Sequence, residues 1–252
     1  IPRCKPVEKE QKNSYNEWCG QKVRNIHTER HERRTAYTLL MRGKHKMIRW
    51  IKTHPYCLVN LYLVFYLIGF FTLEMLVPEP QYVIHSVIDD WIPFNEWFVL
   101  PYFLWYLWVP GFLLYFMLRE RDSFLRLAFI MFAGMTICLI IYALWPNGLQ
   151  LRREIEADNF CADIVRFLRA VDTPNNVCPS IHVSSTVAIH IVICRSDAFR
   201  NVRFFRLLSW TVTVLICLST MFIKQHSAID VFWGWLLSLL LGAVAYRKGG
   251  FV

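Results

Sequence analysis

Charge is scarce in this sequence. Asp, Glu, Lys and Arg make up 19% of its 252 residues, against about 25% in ordinary soluble domains. Glycine and proline are also few, at 10 and 11, which excludes a collagen-like repeat and a Pro/Gly-rich disordered chain. The eight cysteines include no CxxC pair of the kind that marks a zinc site. Internal repeats and low-complexity tracts are absent, and the chain is too long and too apolar for a small disulfide scaffold. Hydrophobic residues fill 55% of the sequence and aromatics 16%, with a mean hydropathy of +0.31. Soluble domains do not carry that much apolar side chain.

What little charge there is lies unevenly. Residues 1–55 hold 14 Lys/Arg and 5 Asp/Glu, whereas residues 56–252 hold 14 of each. The whole net charge of +9 therefore belongs to an N-terminal tail, and the remainder is neutral and greasy. A basic tail beside a neutral apolar body argues for an anionic membrane surface rather than nucleic acid as its partner.

Five apolar runs have the length that spans a hydrocarbon core of about 30 Å as a helix: Tyr56–Val77, Trp97–Leu118, Phe124–Trp145, Phe204–Ile223 and Ala228–Tyr246. A sixth, Ile181–Cys194, is shorter and carries His182, Ser184, Ser185, Thr186 and His190. Its neighbours make it the fourth of six spans, lined with functional groups. The expected fold is thus all-α, a six-transmembrane-helix bundle (56–252) behind an N-terminal amphipathic cytoplasmic tail (1–55). Six spans put both ends on one side. That side collects 23 Lys/Arg and the other only 5, so the positive-inside rule predicts cytoplasmic termini in a multi-pass protein of the cell membrane. The basic tail does not read as a signal peptide. Its stretch from Arg30 to Lys52 mixes cations with Leu39, Leu40, Met47, Ile48, Trp50 and Ile51, as an interfacial helix does. The 78–96 loop reads as an interfacial segment on the opposite side. Cys161 and Cys178 share the long 146–180 loop there, and both a disulfide and two free thiols remain open.

Three segments converge at the outer boundary of this topology: Pro146–Glu154, Asn175–His182 and Ser219–Asp230. They bring two histidines, an aspartate, a serine and several cations to one depth. His226 and Asp230 are spaced i,i+4, which places them on one helix face. A carboxylate under an imidazole fixes its tautomer and leaves the second nitrogen free as a nucleophile or base. His182 follows Ser180 at a helix start, where N–H groups and a hydroxyl favour an anion, and is suited to acid/base work. Arg152, Arg153 and Lys224 supply cations for phosphate oxygens. His190 lies about 12 Å deeper along its helix and reads as a hydrogen-bonded intramembrane residue. No metal site is expected, although His182, His226 and Asp230 are ligand types.

Pro179-Ser180-Ile181-His182 followed by Ser219…His226-x-x-x-Asp230 resembles the second and third signatures of the type-2 phosphatidic acid phosphatase superfamily. The resemblance covers about residues 56–247. Asn176-Val177-Cys178-Pro179-Ser180-Ile181-His182 and Lys224-Gln225-His226 are most similar to its inositol phosphorylceramide synthase-like and bacterial lipid phosphatase branch. It implies that His226 takes the phosphoryl group, Asp230 orients it and His182 protonates the leaving oxygen. Ser180 and Arg152 would hold the phosphate, and no cofactor is implied. The sequence departs from the first signature, with Trp145 in the lysine position and Arg153 in the proline position. It departs from the third with Ser219-Thr220 in place of Ser-Arg, leaving Lys224 to replace a missing cation. The expected substrate is a phosphorylated lipid, and the expected product free phosphate. Transfer of a phospho-head group to a lipid alcohol stays open as the alternative.

Overall fold

The computed structural model describes residues 37, 41, 44–76 and 79–247. The chain divides into two units between Cys57 and Leu58. In the first, a helix (α1) covers 44–53; most of the expected interfacial helix lies outside the described residues.

Five helices in the described residues are long and apolar enough to cross a bilayer, which makes this a multi-pass membrane protein. They are α2 (Tyr62–Leu76, entered through a 3₁₀ stretch at Pro55–Leu61), α4 (Val99–Arg119), α5 (Arg121–Leu144), α8 (Arg203–Phe222) and α9 (Ala228–Ala245). Their outward faces show why water is the wrong solvent: Phe65, Leu107, Phe204 and Leu240 are all more than half exposed, far beyond the apolar patches soluble monomers tolerate.

The sixth run forms α7 (Ile181–Ile193), a 13-residue helix that rises only about 20 Å. It packs against α5, α8 and α9, and ten of its residues are buried. Its polarity is satisfied internally. The Ser185 hydroxyl donates to the Ile181 carbonyl (2.7 Å) and accepts from Trp105 Nε1 (2.8 Å), while the Thr186 hydroxyl donates to the His182 carbonyl (2.7 Å). Backbone carbonyls thus replace the water that these two buried hydroxyls would otherwise require.

Helix α9 approaches α7 through Gly234, Ser238 and Gly242, one residue per turn on one face. Ser238 donates its hydroxyl to the Ser184 carbonyl at 2.6 Å. A Cβ on Gly234 would sit 2.7 Å from the Ser180 carbonyl oxygen and 3.1 Å from Val183 Cβ, so the backbones themselves are in contact there. Gly234→Ala is expected to cost about 2–3 kcal/mol, as overpacking of a rigid contact does. A lowered thermal midpoint in detergent would register it, and an unchanged midpoint would show that the crossing has slack.

The connections at one end of the bundle are more structured than the sequence suggested. The 78–96 segment contains β1 (Tyr82–Val83) and α3 (Val87–Trp91). The 146–180 segment, expected as a loop, holds β2 (Asn147–Gly148) and the amphipathic α6 (Phe160–Val171), capped by the Asn159 side chain. β1 and β2 pair in parallel. Buried Asn147 ties this end together. Its Oδ1 accepts from the N–H groups of Val177 and Cys178, and its Nδ2 donates to the Trp145 and Cys178 carbonyls. Cys161 packs with Val99, Tyr102 and Leu168, and Cys178 with Ile84 and Leu149. Both are free thiols, so of the two states left open for them the structure has the unpaired one. At the opposite end of the bundle, Arg126 and Arg195 both lie against the Tyr246 ring.

Candidate active site

The turn between α8 and α9 carries His226, the centre of the candidate site. Helix α8 closes with the Gln225 N–H returning to the Thr220 carbonyl (2.9 Å) and the Lys224 N–H to that of Met221 (3.1 Å). Lys224 takes φ 60°, the left-handed position glycine normally fills in this closure. A lysine there costs about 1–2 kcal/mol. Its ammonium offsets that by donating to the carbonyls of Asp89 (2.8 Å) and Ile92 (2.5 Å). Burial pulls the Lys224 amine down, and the charges of Asp89 and Asp90 push it back up.

Helix α9 then starts with a capping box. Ser227 is the N-cap, and Asp230 Oδ2 accepts from the Ser227 N–H at 2.8 Å. His226 therefore precedes the helix rather than lying on it. The i,i+4 spacing brings Nδ1 within 3.4 Å of Asp230 Oδ2 through the geometry of the cap, not through a shared helical face. At that distance the pair attract as ion and dipole, without the alignment of a hydrogen bond, since Nδ1 has no bonded partner. Asp230, fully buried, does two tasks: it caps α9 and it sits beneath the His226 ring.

His182 comes from the first turn of α7. Its Nδ1 is 3.3 Å from His226 Nε2, and its Nε2 is 3.0 Å from the Tyr102 hydroxyl. The ring is held between Tyr102 and Trp105 of α4, with centroids at 4.9 and 4.4 Å. One set of tautomers satisfies the row without extra protons: Tyr102 O–H donates to His182 Nε2, His182 Nδ1–H donates to His226 Nε2, and His226 Nδ1–H faces Asp230. Both imidazoles line a cavity of about 270 Å³ with Tyr66, Phe70, Trp105, Tyr106 and Tyr142, and with Glu74, Asp172, Asn176 and Gln225. Burial raises the Asp172 carboxyl, against the charges of Arg152 and His226 that lower it.

The remaining expected residues are placed as follows. Ser180 is fully buried and spends its hydroxyl on the Val183 N–H as the N-cap of α7. Arg152 donates to the Asp172 and Thr173 carbonyls (2.7 and 3.2 Å) and to Gln225 Oε1, all three partners being on the wall of the histidine cavity. Arg153 is exposed. With Lys224 and Arg169 it lines a different, larger cavity of about 590 Å³ beside α3, so the two histidines and these three cations face separate spaces. Arg169 donates to the Arg153 carbonyl at 2.7 Å, and burial together with the Arg152 charge lowers its guanidinium to about 10. His190 bonds the Ser209 hydroxyl at 3.0 Å inside the bundle, as its position on the helix predicted. Among the described residues, no cluster of three His, Cys, Asp or Glu side chains is placed to hold a metal ion.

Tyr102 and Asp89 did not stand out in the sequence. A tyrosine in an apolar run has no pattern to distinguish it. Asp89 had one: Ser86-Val87-Ile88-Asp89 is a capping-box sequence, and the box is present. The same carboxylate accepts from Ser227 Oγ (2.6 Å) and the Ala228 N–H (2.8 Å), fastening α3 onto the turn that holds His226. No model of a known protein family matches the chain, and a search of curated proteins finds no relative.

Proposed function

We propose that the protein is a metal-independent lipid phosphatase of the type-2 phosphatidic acid phosphatase class. In this reading it removes phosphate from a phosphomonoester or diphosphate lipid through a phosphohistidine. The observation that carries the reading is the row Tyr102–His182–His226–Asp230 on the wall of an aromatic chamber. α7 counts as the sixth membrane element, so that both termini face the cytoplasm and the site opens at the outer face. The 23-to-5 distribution of Lys and Arg supports that orientation.

The phosphate of the lipid displaces the His182 N–H from His226 Nε2, which attacks phosphorus in line. A P–N bond forms as the P–O bond to the lipid breaks, and His182, protonated on both nitrogens once the anionic phosphate is bound, gives the departing oxygen its Nδ1 proton and is left as the neutral imidazole. Asp230 stabilises the positive charge that develops on His226. A water then attacks phosphorus, His182 takes its proton, and the P–N bond breaks to release inorganic phosphate. Arg152 contributes positive field from behind Gln225.

Two experiments test this. Purified protein incubated with ³²P-labelled phosphomonoester and diphosphate lipids is expected to release phosphate in excess EDTA and to accumulate an acid-labile, alkali-stable phosphoprotein. Absence of both products would remove the reading. Transfer is the alternative, and one observation favours it: the Glu74 and Asp172 carboxylates line the same chamber and can receive the hydroxyl of a lipid alcohol. Label appearing in a new lipid when an alcohol is added, with little free phosphate, would decide for it. Tyr102→Phe keeps the ring against His182 and removes only the hydroxyl. It is expected to lower kcat/KM by roughly tenfold, the worth of one such bond, and to shift the pH–rate profile with the thermal midpoint unchanged.

A further inference from the structure

Two side-chain NH₂ groups of the chamber-lining residues have no acceptor. Gln225 is 2% exposed and Asn176 5% exposed, and both line the cavity with His182 and His226. Neither Gln225 Nε2 nor Asn176 Nδ2 has a hydrogen-bond acceptor. The orientation of Gln225 is not a matter of choice. Its Oε1 meets the Arg152 guanidinium, which can only donate. The NH₂ end must therefore face away from Arg152. Burying an amide donor without an acceptor is costly, and two from residues that line one chamber with the imidazoles point to a missing acceptor with several lone pairs. The cations that would ordinarily meet such an acceptor are directed elsewhere. Lys224 bonds two carbonyls, and with Arg153 it faces the other cavity.

We propose that the Gln225 and Asn176 amides bind the non-bridging oxygens of the phosphoryl group on its way to His226, a neutral cradle in place of the usual cations. The proposal rests on the reading of His226 as phosphoryl acceptor. Arg152 is then a positioning residue: it fixes the Gln225 amide and polarises it from behind without touching the phosphate. Asn176 has φ 55°, a conformation in which asparagine is tolerated. The loop thereby presents its side chain without the penalty other residues would incur.

The test uses the full-length protein in detergent, with inorganic phosphate as the probe and its competitive inhibition constant as the readout. Gln225→Glu keeps, and strengthens, the acceptor for Arg152 while replacing the NH₂ by a carboxylate. A Gln225 that served only to hold Arg152 would be unharmed by the change. A phosphate-binding Gln225 is expected to raise the inhibition constant at least tenfold and to lower kcat/KM by about a hundredfold. Asn176→Gly suits the backbone at φ 55°, removes the second amide alone, and is expected to weaken phosphate by roughly tenfold. It keeps the proposal testable if the glutamate variant does not fold. Wild-type turnover with normal phosphate inhibition in both variants would overturn the cradle and leave the phosphatase reading intact. A wild-type protein that neither releases phosphate from lipids nor is inhibited by it would overturn both.

Discussion

His226→Gln is expected to eliminate phosphate release, with a loss on the order of 10⁴-fold or more, because no other group can accept the phosphoryl bond. The fold should survive. The side chain of His226 bonds no backbone group of the turn, which is closed by main-chain hydrogen bonds from Lys224, Gln225 and His226 themselves. The thermal midpoint is therefore expected to stay within a few degrees of the wild type while the phosphoprotein disappears. His182→Gln should behave differently. Its loss removes acid/base assistance, worth about 10²–10⁴-fold, from the first step and from the hydrolysis that follows. Single-turnover measurements would read this as slow formation of a phosphohistidine that then persists. A His226 variant with normal turnover would remove the mechanism altogether.

The largest stability effect is expected from a residue outside the row. Asp89 is 3% exposed and accepts from the Ser86 N–H, the Ser227 hydroxyl and the Ala228 N–H. Asp89→Ala leaves three donors, one buried and two part-buried, without this acceptor and removes a negative charge that favours the Lys224 ammonium. The expected cost is about 3–5 kcal/mol, seen as a large fall in thermal midpoint. Turnover should fall with it, because α3 is what presses the α8–α9 turn into place. Asp89→Asn keeps one acceptor oxygen and is expected to fall between the two. An Asp89→Ala protein as stable as the wild type would mean that the α3 contact contributes nothing to the turn.

The two predictions show where the sequence was legible. The spans were readable because lipid-facing helices are apolar along their whole length, and Pro179-Ser180-Ile181-His182 and His226…Asp230 were readable because reactive side chains are conspicuous in apolar surroundings. The manner in which His226 meets Asp230 was not. Ser227-Ala228-Ile229-Asp230 is a capping box as plainly as its aspartate is half of a His–Asp pair, and the box decides where the helix begins. The cations expected at a phosphate were harder still. Arg152, Arg153 and Lys224 share a depth, yet depth says nothing of direction. Lys224 turns toward α3 because its left-handed backbone sends it there, and Arg152 turns toward the carbonyls of Asp172 and Thr173. α6 and α3 were missed because short amphipathic helices look like polar loops beside 20-residue apolar runs.

α7 has a consequence for how the protein comes to exist. A 13-residue segment with a histidine, two serines and a threonine in its first turns gains little from entering lipid alone, where each polar group is a penalty. It becomes favourable only when α5, α8 and α9 are present to surround it, and two of those helices are synthesised after it. Stable burial of α7 is therefore expected only after its C-terminal partners have been made. Truncation within α9 would then cost the protein its most interior helix as well as its last, and with it the means to bring His182 to His226.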